Sequence, residues 1–251
     1  MTGRIFAVAL LAGLAAGLAV SVLQHFTTTP IILHAEKFEA KPAASLGGHA
    51  RVDLDVRGLT GARLYLAHST GDHAEGGKGH EPETWAPEDG LERSLYTALT
   101  NVLTAIGFAL VLTAAIFMYG KPVSGRWGVL WGAAGFCVVS LAPALGLPPE
   151  VPGAMAAELS GRQGWWMLCA AATATGLGLM FLGSRRWMPW AGTALLVLPH
   201  VLGAPQAEAM GGPVPPELAA HFVAASLVTA AAFWAVLGWA TGTLAQRFRL
   251  T

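Results

Sequence analysis

The chain has 251 residues, of which 54% are hydrophobic and only 12% charged, with 31 glycines and a mean hydropathy of +0.52. Soluble domains carry about a quarter charged residues, so this composition excludes most soluble classes and indicates a membrane protein. The formal charge is zero, from 15 basic and 15 acidic residues, which argues against a nucleic-acid partner.

A helix that crosses a bilayer needs about 20 mostly apolar residues. Six stretches qualify, at roughly 4–25, 93–119, 127–146, 164–183, 187–203 and 218–244. The first carries a weak small-residue cleavage pattern at Ala19-Val20-Ser21, but its apolar run is longer than a signal core and it is read as a retained helix. The fifth is short and bracketed by Pro189 and Pro199. The chain therefore divides into a first transmembrane helix over 1–26, a periplasmic loop rich in histidine and acids over 27–92, and a five-helix region over 93–251.

Lysine and arginine in short loops set the orientation. Arg4, Lys121, Arg126, Arg185, Arg186, Arg247 and Arg249 fall on one side when six helices are threaded alternately, whereas the short loops on the other side hold only Arg162. The basic side is expected to be cytoplasmic, with both termini on it, in a bacterial inner membrane. Trp127, Trp187 and Trp190 then lie at inner edges, and Trp85, Trp165 and Trp166 near outer ones, as an interfacial aromatic belt requires. Gly13/Gly17, Gly128/Gly132 and Gly238/Gly242 are pairs four apart, suited to close helix packing. Cys137 and Cys169 sit in separate apolar runs and are expected to be small buried hydrophobes.

In this threading all 15 carboxylates and all eight histidines lie outside the cytoplasmic loops. The outer face carries 15 acids against eight basic residues, so the zero total conceals a cation-attracting surface. Imidazole and carboxylate together form a ligand set for borderline divalent metals. The segment from His68 to Glu81, with Asp72, His73, His80 and Glu81, has the ligand density to collect such ions; a solvated loop has the same composition. Glu217 and His221 are four apart, hence on one helix face at the outer start of span six, with His200 just across the loop. These three are candidate metal ligands at an outer vestibule, although an acid in a first turn also suits the helix dipole. Glu150 is a weaker candidate. Asp89 and Glu92 have capping-box spacing at the start of span two. Asn101, inside span two, is expected to face the bundle interior because an unpaired intramembrane amide is costly. Around Gly77-Lys78-Gly79 the pattern of a phosphate-binding loop is broken. No charged residue is placed mid-membrane.

Several segments carry a family resemblance. They are Gln24-His25 with Pro30-Ile-Ile-Leu-His-Ala-Glu36, Trp85-Ala-Pro-Glu-Asp-Gly-Leu-Glu-Arg93 leading into Gly107-Phe-Ala-Leu, Leu147-Pro-Pro-Glu-Val-Pro-Gly153, Gly161-Arg-Gln-Gly-Trp-Trp166 and Leu198-Pro-His-Val-Leu-Gly-Ala-Pro-Gln206. In this order the chain resembles the CbtA family of proposed cobalt transporter subunits. The resemblance implies cobalt uptake alongside a small histidine-bearing membrane partner, CbtB. Residues 50–66 depart from it and read as an inserted extended segment, with alternation at Val52, Leu54 and Val56 indicating a strand.

The expectation is an all-α integral membrane protein, a bundle of six transmembrane helices with a long periplasmic loop between the first and second. It would act as a membrane subunit that collects Co²⁺ outside and passes it through the bundle. The alternative is a structural or accessory subunit packed against a larger membrane protein complex. No nucleophile–base constellation is visible, so neither enzyme activity nor a cofactor is expected, cobalt being the transported substrate.

Overall fold

The computed structural model describes residues 2–39, 87–88, 90–207 and 212–250. Among them are seven helices and no strand: α1 (Thr2–Phe26), α2 (Thr28–Glu39), α3 (Leu91–Tyr119), α4 (Gly125–Ala144), α5 (Leu159–Leu182), α6 (Met188–Leu202) and α7 (Pro216–Arg247). Helices α1, α3, α4, α5 and α7 are long and apolar enough to cross a membrane. Helix α6 is apolar but has 15 residues, about 22 Å at about 1.5 Å per residue, less than the hydrocarbon core of a bilayer. The inserted segment 50–66 and the loop residues Asp72, His73, His80, Glu81 and Trp85 lie outside the described residues.

The segment assigned to the outer loop begins as helix. Pro30 cannot donate a backbone hydrogen bond and its ring crowds the carbonyl of Phe26, four residues back, so α1 stops there. The chain restarts at Thr28 with Pro30 in the first turn of α2, where a missing N–H costs nothing. Ile31 and Ala35, four apart, are the buried face of α2 against α7.

Small residues set the helix crossings. A methyl built on Gly13 would lie 2.5 Å from Ile106 Cα, and one on Gly17 would lie 2.6 Å from Val102 Cα, so α3 runs antiparallel to α1 at backbone contact. The α4–α7 crossing is closer still: a methyl on Gly128 would lie 2.2 Å from the Gly238 carbonyl oxygen, and one on Gly132 would lie 2.1 Å from that of Trp234. Gly176 meets Gly192 where α5 and α6 pair. Such approaches give interhelical dispersion contact where lipid supplies no hydrophobic drive. Large side chains such as Leu103, Val111 and Met118 on α3 stay exposed on the outer surface, as a lipid-facing side requires.

These contacts also fix helix direction. Thr229 meets Thr27, and Ala245 clusters with Val8, so α7 runs against α1. Gly146 lies against Trp165, which turns α5 back from the end of α4. The six helices other than α2 thus alternate along the chain. Arg4, Lys121, Arg126, Arg185, Arg186, Arg247 and Arg249 gather at one end of the bundle, and the described histidines and carboxylates at the other.

One local expectation is corrected. Trp165 does not face outward: it is buried, and its indole N–H donates to the Pro199 carbonyl at 3.2 Å, whereas Trp127, Trp187 and Trp190 are exposed. Asp89 of the expected capping box lies outside the described residues; Gly90, which precedes α3, has φ 101°, where a residue with a Cβ would be strained. The Glu92 carboxylate reaches back past the helix start and accepts from the Glu88 N–H at 3.3 Å.

Candidate functional site

The polar end of the bundle holds the described residues singled out as metal ligands. His200 is half-buried near the end of α6, edge-on to Trp165 with ring centroids 5.9 Å apart. Glu217 and His221 are both exposed on the first turns of α7. Helix α6 packs on α5 and α7 packs on α4 and α1, so His200 belongs to a different helix pair from the other two. Among the described residues no three His, Cys, Asp or Glu side chains come together as a group able to hold a metal ion. His25 and His34 are exposed, each against a neighbouring phenylalanine ring.

Several carboxylates at this end are committed to structure. Glu36 on α2 takes both arms of the Arg93 guanidinium at the start of α3, one at 3.1 Å. Glu150 lies 2.8 Å from Arg162, tying the segment after α4 to the first turn of α5. Glu158 caps α5: its carboxylate accepts from the Ser160 hydroxyl at 2.5 Å and from the Ser160 and Gly161 N–H groups at 2.9 Å each. The serine hydroxyl, followed by these two amides, holds the Glu158 carboxyl below the ordinary carboxylate range. Glu150, the weaker candidate ligand, is thus paired with Arg162.

Below this end lies a cavity of about 330 Å³ between α1, α2, α3, α4 and α7. Its polar lining is the two amides Gln24 and Asn101 and the hydroxyls of Thr28, Thr104, Ser140, Ser226 and Thr229. Among the described residues neither a carboxylate nor a histidine, lysine or arginine lines it. Ile32 and Phe222 line it towards the polar end, and an aromatic layer of Phe108, Phe233 and Trp234 lines it on the other side. Beyond that layer the core of Ala109, Leu112, Ile116, Leu237 and Ala240 is closely packed.

Asn101 faces the interior as expected, donating both amide hydrogens across the α3–α1 interface, to Ser21 Oγ at 3.1 Å and Gln24 Oε1 at 2.7 Å. The fourth wall is a defect in α4 that periodicity did not reveal. Over Cys137–Leu141 the helix widens to a π-turn, with the Ala142 N–H bonded to the Cys137 carbonyl. Pro143 explains it: it has no N–H and its ring crowds the carbonyl of Val139, four residues back. Pro143 therefore donates no backbone hydrogen bond back into the π-turn that holds Ser140. A proline near the end of an apolar run is the signal that marked this position.

The family model described as a probable cobalt transporter subunit, CbtA, matches residues 2–246, nearly the whole chain. Neither a curated protein nor a solved structure matches it.

Proposed function

The chain belongs to the CbtA family of probable cobalt transporter subunits, and on that premise we propose that it collects Co²⁺ at the periplasmic face and hands it through the helix bundle. The observation that supports this reading is the alternation of helix direction, which separates the basic turns from the described histidines and acids. Basic turns favour the cytoplasm, so the termini are cytoplasmic, α6 serves as a short sixth crossing, and the membrane is the inner membrane. The opposite face meets incoming cations.

In this proposal Asp72, His73, His80 and Glu81 gather the ion, and His200, Glu217 and His221 receive it. Imidazole and carboxylate suit Co²⁺, and selectivity comes from ligand type and geometry, since raw affinity favours nickel and copper over cobalt. Because His200 stands apart from Glu217 and His221, the receiving set is completed by loop residues or by a ligand from a partner subunit. A small histidine-bearing CbtB-like membrane protein fits that role. The chain works as a carrier of its metal substrate, without a resident cofactor or enzymatic step.

The test is radiocobalt uptake in a strain lacking other cobalt importers, comparing wild type with the His200→Ala/His221→Ala double variant at matched expression. Uptake falls severalfold in the double variant. Unchanged uptake there would remove the vestibule from the mechanism, and no uptake above background in wild type with its partner present would remove transport altogether.

A further inference from the structure

Helix α2 covers part of the cavity on its polar side through a small attachment, and we propose that it is a hinged lid, latched by Glu36 on Arg93. Thr28 and Ile32 of α2 line the cavity, and Ile32 stands with Phe222 of α7 towards the polar end. On the other side the layer of Phe108, Phe233 and Trp234 is backed by the packed core. The approach from the polar end is therefore widened or narrowed by the position of α2.

The hinge is the junction with α1. Thr27 anchors the end of α1: its N–H donates to the Leu23 and Gln24 carbonyls at 3.1 and 3.2 Å. Its hydroxyl donates to the Leu23 carbonyl at 2.8 Å and meets the Thr229 hydroxyl of α7 at 3.1 Å. Below this anchor α1 is held at backbone contact with α3 through Gly13 and Gly17. Above it the helical ladder is interrupted, because Pro30 donates no backbone hydrogen bond across the junction. A proline break is where a helix axis bends, and hinges are built from a few residues at element ends.

Past the hinge the attachment is slight. Twelve residues are too few to hold a helix without packing. Among the described residues beyond Pro30, α2 buries Ile31 and Ala35, while Leu33, His34 and Lys37 are exposed. Glu36 adds the ion pair with Arg93 of α3, one arm at 3.1 Å, each side chain about a third exposed, 34% and 33%. A pair screened to that degree biases a short helix without locking it. The role of the lid rests on the uptake reading, since Ile32 stands between the cation-facing end and the interior amides Gln24 and Asn101. Its motion is a property of the fold, and the test needs no metal.

The test is thiol access in the purified full chain in lipid nanodiscs. Ser140→Cys places a thiol in the cavity wall, in a chain also carrying Cys137→Ala and Cys169→Ala, and a charged methanethiosulfonate modifies it at a rate set by access. Glu36→Gln and Arg93→Gln each raise that rate about threefold, equivalent to about 0.6 kcal/mol of lost closure. The exchanged pair Glu36→Arg/Arg93→Glu returns it towards the parent value. Cys169, buried on α5 in the other helix pair, is the control for general loosening: in a chain carrying Cys137→Ala alone, its rate is unchanged by Glu36→Gln. Unchanged access to the cavity thiol in both single variants, an equal rise at Cys169, or no recovery in the exchanged pair would each overturn the proposal. Failure of the uptake test leaves the lid standing as a feature of the fold, and failure of the lid leaves the uptake reading to its own test.

Discussion

The Glu150 carboxylate lies 2.8 Å from the Arg162 guanidinium, each side chain about a third exposed, 30% and 31%. The two residues come from separate segments that carried the family resemblance, Leu147–Gly153 and Gly161–Trp166. The same holds for Glu36 with Arg93, and for the Trp165 indole with the Pro199 carbonyl. The segments that punctuate the chain are those that staple the polar ends of adjacent helices.

At one-third exposure the Glu150–Arg162 pair is screened by solvent, so Glu150→Gln or Arg162→Gln alone costs only about 0.5–1 kcal/mol. A double-mutant cycle by reversible unfolding in mixed micelles should show a coupling of similar size that shrinks with added salt. The exchanged variant Glu150→Arg/Arg162→Glu recovers much of it. A zero coupling at low salt would make the contact incidental.

At the α4–α7 crossing the constraint is steric. Gly132→Ala places a methyl 2.1 Å from the Trp234 carbonyl oxygen, and Gly238→Ala places one 2.2 Å from that of Gly128. Backbone cannot yield as a side-chain tip can, so each variant loses about 1–3 kcal/mol as the helices are forced apart. Gly107→Ala and Gly178→Ala meet nothing within 4 Å and should be neutral or stabilising, since alanine is the better helix former. Equal losses at all four positions would show helix propensity, not crossing distance, to be decisive.

The helices were legible because membrane helices are written in composition: the apolar stretch expected at 93–119 forms α3, which starts two residues earlier at Leu91 and ends at Tyr119. The glycine pairs were legible as packing positions, since little else allows backbone contact. Asn101 was legible as inward-facing because lipid gives an amide no partner. Helix α2 was hidden because its 12 residues are too short and polar to resemble a span, although Ile31 and Ala35 have helical spacing. The cavity was hidden for a different reason. Gln24, Asn101, Ser140 and Thr229 are scattered over four helices, and only their packing collects them. The α4 π-turn, which places Ser140, depends on how Pro143 distorts the preceding turn.

Glu158 makes a pH-dependent contribution whose sign is determined by its cap. Hydrogen bonds from the Ser160 hydroxyl and then from the Ser160 and Gly161 amides lower its carboxyl below the ordinary value of 4.5. A group with a depressed folded pKa stabilises the fold above its unfolded pKa, and that contribution disappears as pH falls through the folded value. Glu158→Gln should therefore be less stable than wild type at pH 7, and the gap should close as pH falls below the ordinary carboxylate value of 4.5 and on through the lower folded value. Unfolding midpoints of the two proteins across that range provide the comparison. A gap that persists unchanged at the acid end would assign the effect to side-chain shape and not to charge.

Gly146 and Trp165 give the most selective prediction, because the obstructing atoms can be removed separately. A methyl on Gly146 would lie 2.5 Å from Trp165 Cη2 and 2.8 Å from Cζ2, both in the six-membered part of the indole, with Ala204 Cβ at 2.9 Å. Trp165 is buried and its N–H is held by the Pro199 carbonyl, so the ring cannot swing away without breaking that bond. Gly146→Ala alone should cost about 1–3 kcal/mol, the range for overpacking. Trp165→Phe alone should cost about 1–2 kcal/mol, from the lost hydrogen bond and the space left behind. Phenylalanine vacates the positions of Cη2 and Cζ2, so the double variant should be more stable than the sum of the two losses predicts, by about 1 kcal/mol. The displaced indole also disturbs His200, its edge-on neighbour at 5.9 Å. Gly146→Ala should accordingly lower radiocobalt uptake at matched protein level, and Trp165→Phe should restore part of it. Strict additivity in the cycle would show that Gly146 is constrained by Ala204, not by the indole.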